Sequence, residues 1–171
     1  LLLYLMYKQW GKKPIVITVV IVALMILFTD QITNIFKYGL ERPRPCHVEA
    51  LMDKMRIVRE GCGGPYGFFS GHASNAMAVA IFVGFMLKYK FKYAIYLLVI
   101  WAMVMGYSRI YVGVHYPLDV LFGALLGFAI GILVSRLGIP SFVVTLAAFL
   151  MFQGLLLLLA GEGGTIRVED P

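Results

Sequence analysis

Residues 93–134 read YAIYLLVIWAMVMGYSRIYVGVHYPLDVLFGALLGFAIGILV, two apolar runs at 93–107 and 117–134 joined by SRIYVGVHY. Crossing the hydrocarbon of a bilayer takes roughly twenty residues at about 1.5 Å of rise each. Inside lipid the backbone must satisfy its own hydrogen bonds, so such runs are helices. Two consecutive crossings run in opposite directions. Ser108 and Arg109, at the end of one, therefore lie at the same depth as Asp119, near the start of the next. Pro117 suits the first helical position. Tyr116 is then the cap and Asp119 the third helical residue, whose carboxylate reaches back over the preceding turn as in a capping box. His115 is within that reach. An aspartate beside one imidazole nitrogen fixes the tautomer and leaves the other nitrogen free to act as a nucleophile.

The same pattern extends outward. Further apolar runs occupy 15–36, 71–87 and 139–160, and 1–7 reads as the tail of another whose beginning lies upstream. The expected fold is an all-α, integral-membrane helical bundle with five complete transmembrane helices plus the remnant of a sixth at the N-terminus. It forms a single transmembrane domain over 1–160, followed by a polar tail at 161–171. Composition agrees: 61% of residues are hydrophobic, 14% are charged and mean hydropathy is +0.86. A soluble domain is about half apolar and a quarter charged. Disorder is excluded on that count, and the composition argues against a soluble enzyme. No internal repeat and no cleavable signal peptide are legible.

The net charge of +6 would suit nucleic acid only on a soluble basic face, so no nucleic-acid partner is expected. Here the basic residues separate the spans. Lys8, Lys12, Lys13, Lys88, Lys90, Lys92 and Arg136 fall on one side with no acidic companion. Lys37, Arg42, Arg44, Lys54, Arg56, Arg59, Arg109 and Arg167 fall on the other among most of the acids. Uncompensated basic loops stay in the cytoplasm. The segments 37–70 and 108–116 and the tail then face outward, and the chain sits in the cell (inner) membrane with its polar chemistry toward the periplasm or exterior. That side also holds His47, His72, His115 and both cysteines.

Lys37 closes the run 15–36 just where Ser70-Gly71-His72 opens 71–87. Lys37, Arg44 and Arg109 are cations suited to phosphate oxygens. Ser70 is a natural N-cap, and the first-turn N–H groups, Gly71 included, would face an anion. His47 belongs to no such pattern, and Arg42 reads as a solvated or headgroup-facing charge.

This constellation resembles the type-2 phosphatidic acid phosphatase superfamily, to which membrane lipid phosphatases belong. Its K-x(6)-R-P signature is matched by Lys37 through Arg44-Pro45, although Arg42-Pro43 offers a competing register. P-S-G-H appears as Phe69-Ser70-Gly71-His72, with phenylalanine where proline is usual. S-R-x(5)-H-x(3)-D is matched in full by Ser108, Arg109, His115 and Asp119. The resemblance implies hydrolysis of a lipid phosphate in two steps. His115 attacks phosphorus to form a phosphohistidine, with Asp119 orienting it. His72 protonates the leaving oxygen and then activates water. Lys37, Arg44, Ser70, Gly71 and Arg109 hold the phosphoryl oxygens, with Ser108 in support. No cofactor or metal is implied, and no cluster of metal ligands is apparent. The implied partners are a lipid phosphate and the bilayer. Undecaprenyl pyrophosphate is the favoured substrate by analogy. Phosphatidylglycerophosphate, phosphatidate and lipid A phosphate are alternatives. Readings from other classes are a vanadium-dependent haloperoxidase, which the apolar spans oppose, and a transporter, which would need polar residues deep in several spans.

Three features remain. Cys46 and Cys62 share one outward loop on the oxidising side and are expected to pair, two buried free thiols being the alternative. Between them, Val48, Leu51, Met52, Met55 and Val58 recur at helical spacing, predicting a short amphipathic helix near 48–58. Asp30 lies about 10 Å deeper than Lys37, two turns down the same helix, where an acid needs a partner. Asp30, Gln31, Thr33 and Asn34 either line the floor of the site or bind a neighbouring helix, and a structural partnership is favoured for Asp30.

Overall fold

The computed structural model describes residues 12–52, 62–136 and 141–160. The α-helices among them are α1 Lys12–Leu40, α2 Glu49–Met52, α3 Gly71–Leu87, α4 Ala94–Tyr111, α5 Pro117–Arg136 and α6 Ser141–Ala160, with a 3-10 turn at Pro45–His47. There is no named strand among the described residues; an isolated antiparallel bridge joins Pro43 to Tyr66. Among the described residues three helices, α1, α4 and α5, are long and apolar enough to cross a membrane. The apolar α3 has 17 residues, and α6 is a 20-residue apolar helix. The remnant at 1–7, most of the amphipathic segment and the tail at 161–171 lie outside the described residues; Glu49–Met52 is the part of that segment described as helix.

The expected boundaries shift where the sequence offers no stop. The described part of helix α1 begins at Lys12. It ends where Glu41 takes the left-handed conformation, φ 47°, that closes helices. Helix α4 continues past residue 107 to Tyr111, so Ser108 and Arg109 stand in its last turn.

Helix α3 is the centre of the bundle. It is apolar all round, as a helix surrounded by others must be, and packs against α1, α4 and α5. Ala73, Ala78, Ala80, Ile81, Phe82 and Val83 are all buried. The approach of α5 is set by Gly123, Gly127 and Gly131, four residues apart and so on one face. A methyl group on Gly123 would meet the Ser70 carbonyl oxygen, and one on Gly127 the Ser74 carbonyl oxygen. Small residues at this spacing let two helix backbones come into direct contact, which is how helices associate where hydrophobicity drives nothing. The pair is pinned where both helices begin by the Ser70 N–H, which donates to the Asp119 carbonyl at 2.9 Å. Large apolar side chains such as Ile17, Leu97, Leu121 and Leu150 face outward, which suits hydrocarbon and would be costly in water.

Candidate active site

Two helix starts and two helix ends meet at one end of the bundle. Ser70 caps α3 in extended conformation, its Oγ accepting the Ala73 N–H at 3.4 Å. At the start of α5 the Asp119 carboxylate accepts the Tyr116 N–H at 2.9 Å, the geometry that Pro117 led us to expect. Between α4 and α5 the chain turns through Gly113, whose φ of 76° suits a residue without a Cβ. That turn delivers His115, which is 4% exposed, with Nδ1 3.6 Å from Asp119 Oδ2 and without a hydrogen-bond partner among the described residues. The separation is longer than a hydrogen bond.

Arg42 departs from expectation. Its side chain is 37% exposed, and from that partly solvated position it donates from Nη1 to Asp119 Oδ1 at 2.9 Å and lies over the Tyr116 ring at 4.3 Å. The cause is local. The Gly67 N–H donates to the Arg42 carbonyl at 2.9 Å, and together with the Pro43–Tyr66 bridge this folds the segment back over the start of α5. Asp119 is fully buried, and a carboxylate there requires a cation. Arg44, two residues on, is held elsewhere: Nε donates to the Tyr66 carbonyl at 3.1 Å and Nη1 to the Cys62 carbonyl at 3.0 Å. Burial lowers the pKa of the Arg44 guanidinium from its ordinary value, and the Asp119 carboxylate raises it. The group stays charged. Cys62 is fixed in turn by a disulfide to Cys46, with 5.9 Å between Cα atoms.

A cavity of about 210 Å³ lies at this junction, and Lys37, Arg44, Gly71, His72, Arg109 and His115 line it. The structure thus brings together the three cations and both histidines singled out from the sequence. Asp119 stands behind His115. Ser70 is fully buried, does not line the cavity and serves as the helix cap. Ser108 donates to the Met105 carbonyl at 2.6 Å and accepts from Arg109 Nε at 3.3 Å, so it steadies the arginine. His47 is exposed and outside the cavity. Asp30 finds the neighbouring-helix partner favoured for it: Asn75 Nδ2 on α3 donates to Asp30 Oδ1 at 2.8 Å.

Arg42, Asn75 and Gly67 escaped sequence reasoning. Arg42 was visible only as a duplicate of the Arg-Pro pair. Asn75 carried a signal, since it lies three residues after His72 and so near it on the helix surface. Gly67 lies so close that a Cβ would be 3.1 Å from Arg44 Cγ and 3.4 Å from Asp119 Oδ2; nothing in the sequence marks that.

The family model described as PAP2 superfamily matches residues 18–143. The chain is 37% identical over 128 residues to the lipid A 4'-phosphatase of Bacteroides thetaiotaomicron, covering 74% of this chain and 56% of the relative. It is 37% identical over 133 residues to the lipid A 4'-phosphatase of Porphyromonas gingivalis, covering 76% and 54%. It is 33% identical over 120 residues to phosphatidylglycerophosphatase B of Bacillus subtilis, covering 66% and 54%. The chain thus spans about half the length of these relatives. No solved structure gives a significant match.

Proposed function

The chain belongs to the PAP2 superfamily, and from that premise we propose that it hydrolyses a membrane lipid phosphate through a phosphohistidine, without a metal, at the extracytoplasmic face. The convergence of Lys37, Arg44, His72, Arg109 and His115 on one small cavity, with Asp119 directly behind His115, carries this reading. In it the bundle is completed by five spans in the outside-facing orientation set by the basic inner loops.

Lys37, Arg44 and Arg109 bind the phosphoryl oxygens, whose charge is spread over them in the transition state. The Gly71 N–H at the start of α3 adds a donor at a helix N-terminus. With Nδ1 toward Asp119, His115 has Nε2 available for in-line attack on phosphorus. The bond to the lipid oxygen breaks as His72 donates a proton to it. The imidazolium formed at His115 is stabilised by Asp119, itself steadied by Arg42. His72, now neutral, takes a proton from water as the water oxygen attacks the phosphohistidine, releasing phosphate and restoring both histidines. A general acid or base contributes about 10²–10⁴-fold.

The names of the relatives, lipid A 4'-phosphatase and phosphatidylglycerophosphatase B, favour a lipid phosphomonoester over undecaprenyl pyrophosphate, the substrate favoured by analogy. The test is phosphate release from a panel of lipid mono- and diphosphates with chelator present, comparing wild type with His115→Ala. Release from a monoester that vanishes in His115→Ala is expected. Undiminished turnover in the variant refutes the nucleophile, and loss of wild-type activity on chelation refutes the metal-free mechanism.

A further inference from the structure

The end of the bundle away from the catalytic cavity carries a second concentration of positive charge. Helix α3 runs from Gly71 at the cavity to Leu87, and α4 runs back from Ala94. The turn between them therefore lies about 25 Å from His72 at 1.5 Å of rise per residue. It reads Lys88-Tyr89-Lys90-Phe91-Lys92-Tyr93, cation and aromatic ring in alternation. Helix α5 ends beside it at Arg136. Lys88 Nζ lies 5.1 Å from the centroid of the Phe85 ring, and Arg136 Cζ lies 4.8 Å from the same centroid. Cations from the ends of two helices thus meet at one ring. Lys90, Lys92 and Arg136 are exposed.

The sequence around these elements supplies no acid to balance them. No aspartate or glutamate occurs at 1–29, 61–118 or 120–161, and the chain ahead of α1 adds only Lys8. Asp119 stands at the other end, behind His115. The C-termini of α3 and α5 contribute about half a negative charge each, and the N-terminus of α4 takes one such half back. Four cations stay unbalanced, and like charges gathered in one place repel. The relieving anion comes from outside the chain. The same turn shows what else that ligand carries. Leu87, Phe91, Ala94, Leu97 and Leu98 line an apolar pocket of about 480 Å³, which Lys92 and Tyr93 also line. A cytoplasmic loop needs only the lysines; it needs neither the pocket nor the rings between them. A free anion would use the lysines and leave the pocket empty, and hydrocarbon alone would not gather cations. A molecule with an anionic head and an apolar tail uses both. Tyr89 and Tyr93, 89% and 65% exposed, are the rings that sit at headgroup level in a bilayer.

We infer that the α3–α4 turn, with Arg136, is a binding site for an anionic phospholipid, its phosphate held by Lys88, Lys90, Lys92 and Arg136 and an acyl chain seated in the apolar pocket. The site is separate from the catalytic cavity and stands whether or not the chain is a phosphatase. The test is native mass spectrometry of the detergent-purified protein titrated with phosphatidylglycerol and with chain-matched phosphatidylcholine. Phosphatidylglycerol should bind about tenfold or more tightly. The variant Lys88→Gln/Lys90→Gln/Lys92→Gln should lose that preference, at about fivefold per lysine. Lys88→Arg/Lys90→Arg/Lys92→Arg should keep it, which separates loss of charge from loss of fold. Arg109→Gln, in the catalytic cavity, should leave it unchanged. Dibutyryl phosphatidylglycerol, whose chains cannot fill the pocket, should bind about tenfold or more weakly, and inorganic phosphate should not displace the long-chain lipid. Equal binding of the two lipids, a preference kept by the glutamine variant, or a preference lost in the arginine variant or in Arg109→Gln overturns the site. Displacement by inorganic phosphate, or equal binding of the dibutyryl lipid, overturns it in favour of a free anion. Polyglutamate bound more tightly than phosphatidylglycerol overturns it in favour of an acidic protein.

Discussion

Replacing Gly127 with alanine puts a methyl group against the Ser74 carbonyl oxygen, 2.9 Å from the Ser74 carbonyl carbon and 3.0 Å from the Ala78 nitrogen. Ordinary carbon contacts lie at about 3.5–4.0 Å, so α3 and α5 must separate by about 0.6 Å at the least. All three opposing atoms are backbone, and no rotamer change can relieve them. Overpacking of this kind costs about 1–3 kcal/mol. The functional effect should be larger than that stability loss suggests. Helix α3 carries His72 and α5 carries Asp119, and a misplacement of about 1 Å can cost 10²-fold in rate. A loss of about tenfold or more in kcat is expected, measured as phosphate release beside thermal unfolding in detergent. Gly154→Ala is the control: it too lies in a helix, but its added methyl meets nothing within 4 Å among the described residues. It should be neutral or slightly stabilising, by up to about 1 kcal/mol. If Gly127→Ala were as stable and active as Gly154→Ala, the close approach of the two helices would not be what holds the site.

Removing the Arg42 side chain leaves Asp119 buried without its cation. Arg42→Ala should lower kcat by about tenfold or more, at the scale of a lost charged hydrogen bond, and Arg42→Lys should recover part of it; an unchanged kcat would mean that Asp119 needs no counterion. Opening the Cys46–Cys62 disulfide, by reductant or as Cys46→Ser, frees the segment whose Cys62 carbonyl holds Arg44. It should lower stability by about 3 kcal/mol for a closed loop of this length and raise KM, while an unchanged KM would show that Arg44 is held without it. Ser70→Ala removes the α3 cap and should cost about 0.5–2 kcal/mol in unfolding measurements, with kcat affected less than in Gly127→Ala, since Ser70 does not line the cavity.

The helices were legible because lipid demands long apolar runs, and the site because chain direction alone brings Lys37, His72, Arg109 and His115 to one depth. Contacts set by loop folding were not legible. Two arginines two residues apart, Arg42 and Arg44, look interchangeable in sequence. Only the backbone pairing of 42–43 with 66–67 sends one to Asp119 and the other into the cavity. The glycine ridge on α5 was hidden for another reason. Glycine is common in apolar helices, so spacing alone did not reveal which face would press backbone against backbone. Asn75 was lost because the run that follows His72 is otherwise nearly all apolar.

The Ser70 N–H bonded to the Asp119 carbonyl joins the helix that carries His72 to the helix that carries Asp119 by main chain alone. A change in membrane thickness or lateral pressure should therefore move His72 and Asp119 together. What such changes can alter is the gap between α1 and α4, which do not touch each other among the described residues, so lipid composition should govern how readily substrate enters and leaves the chemical step untouched.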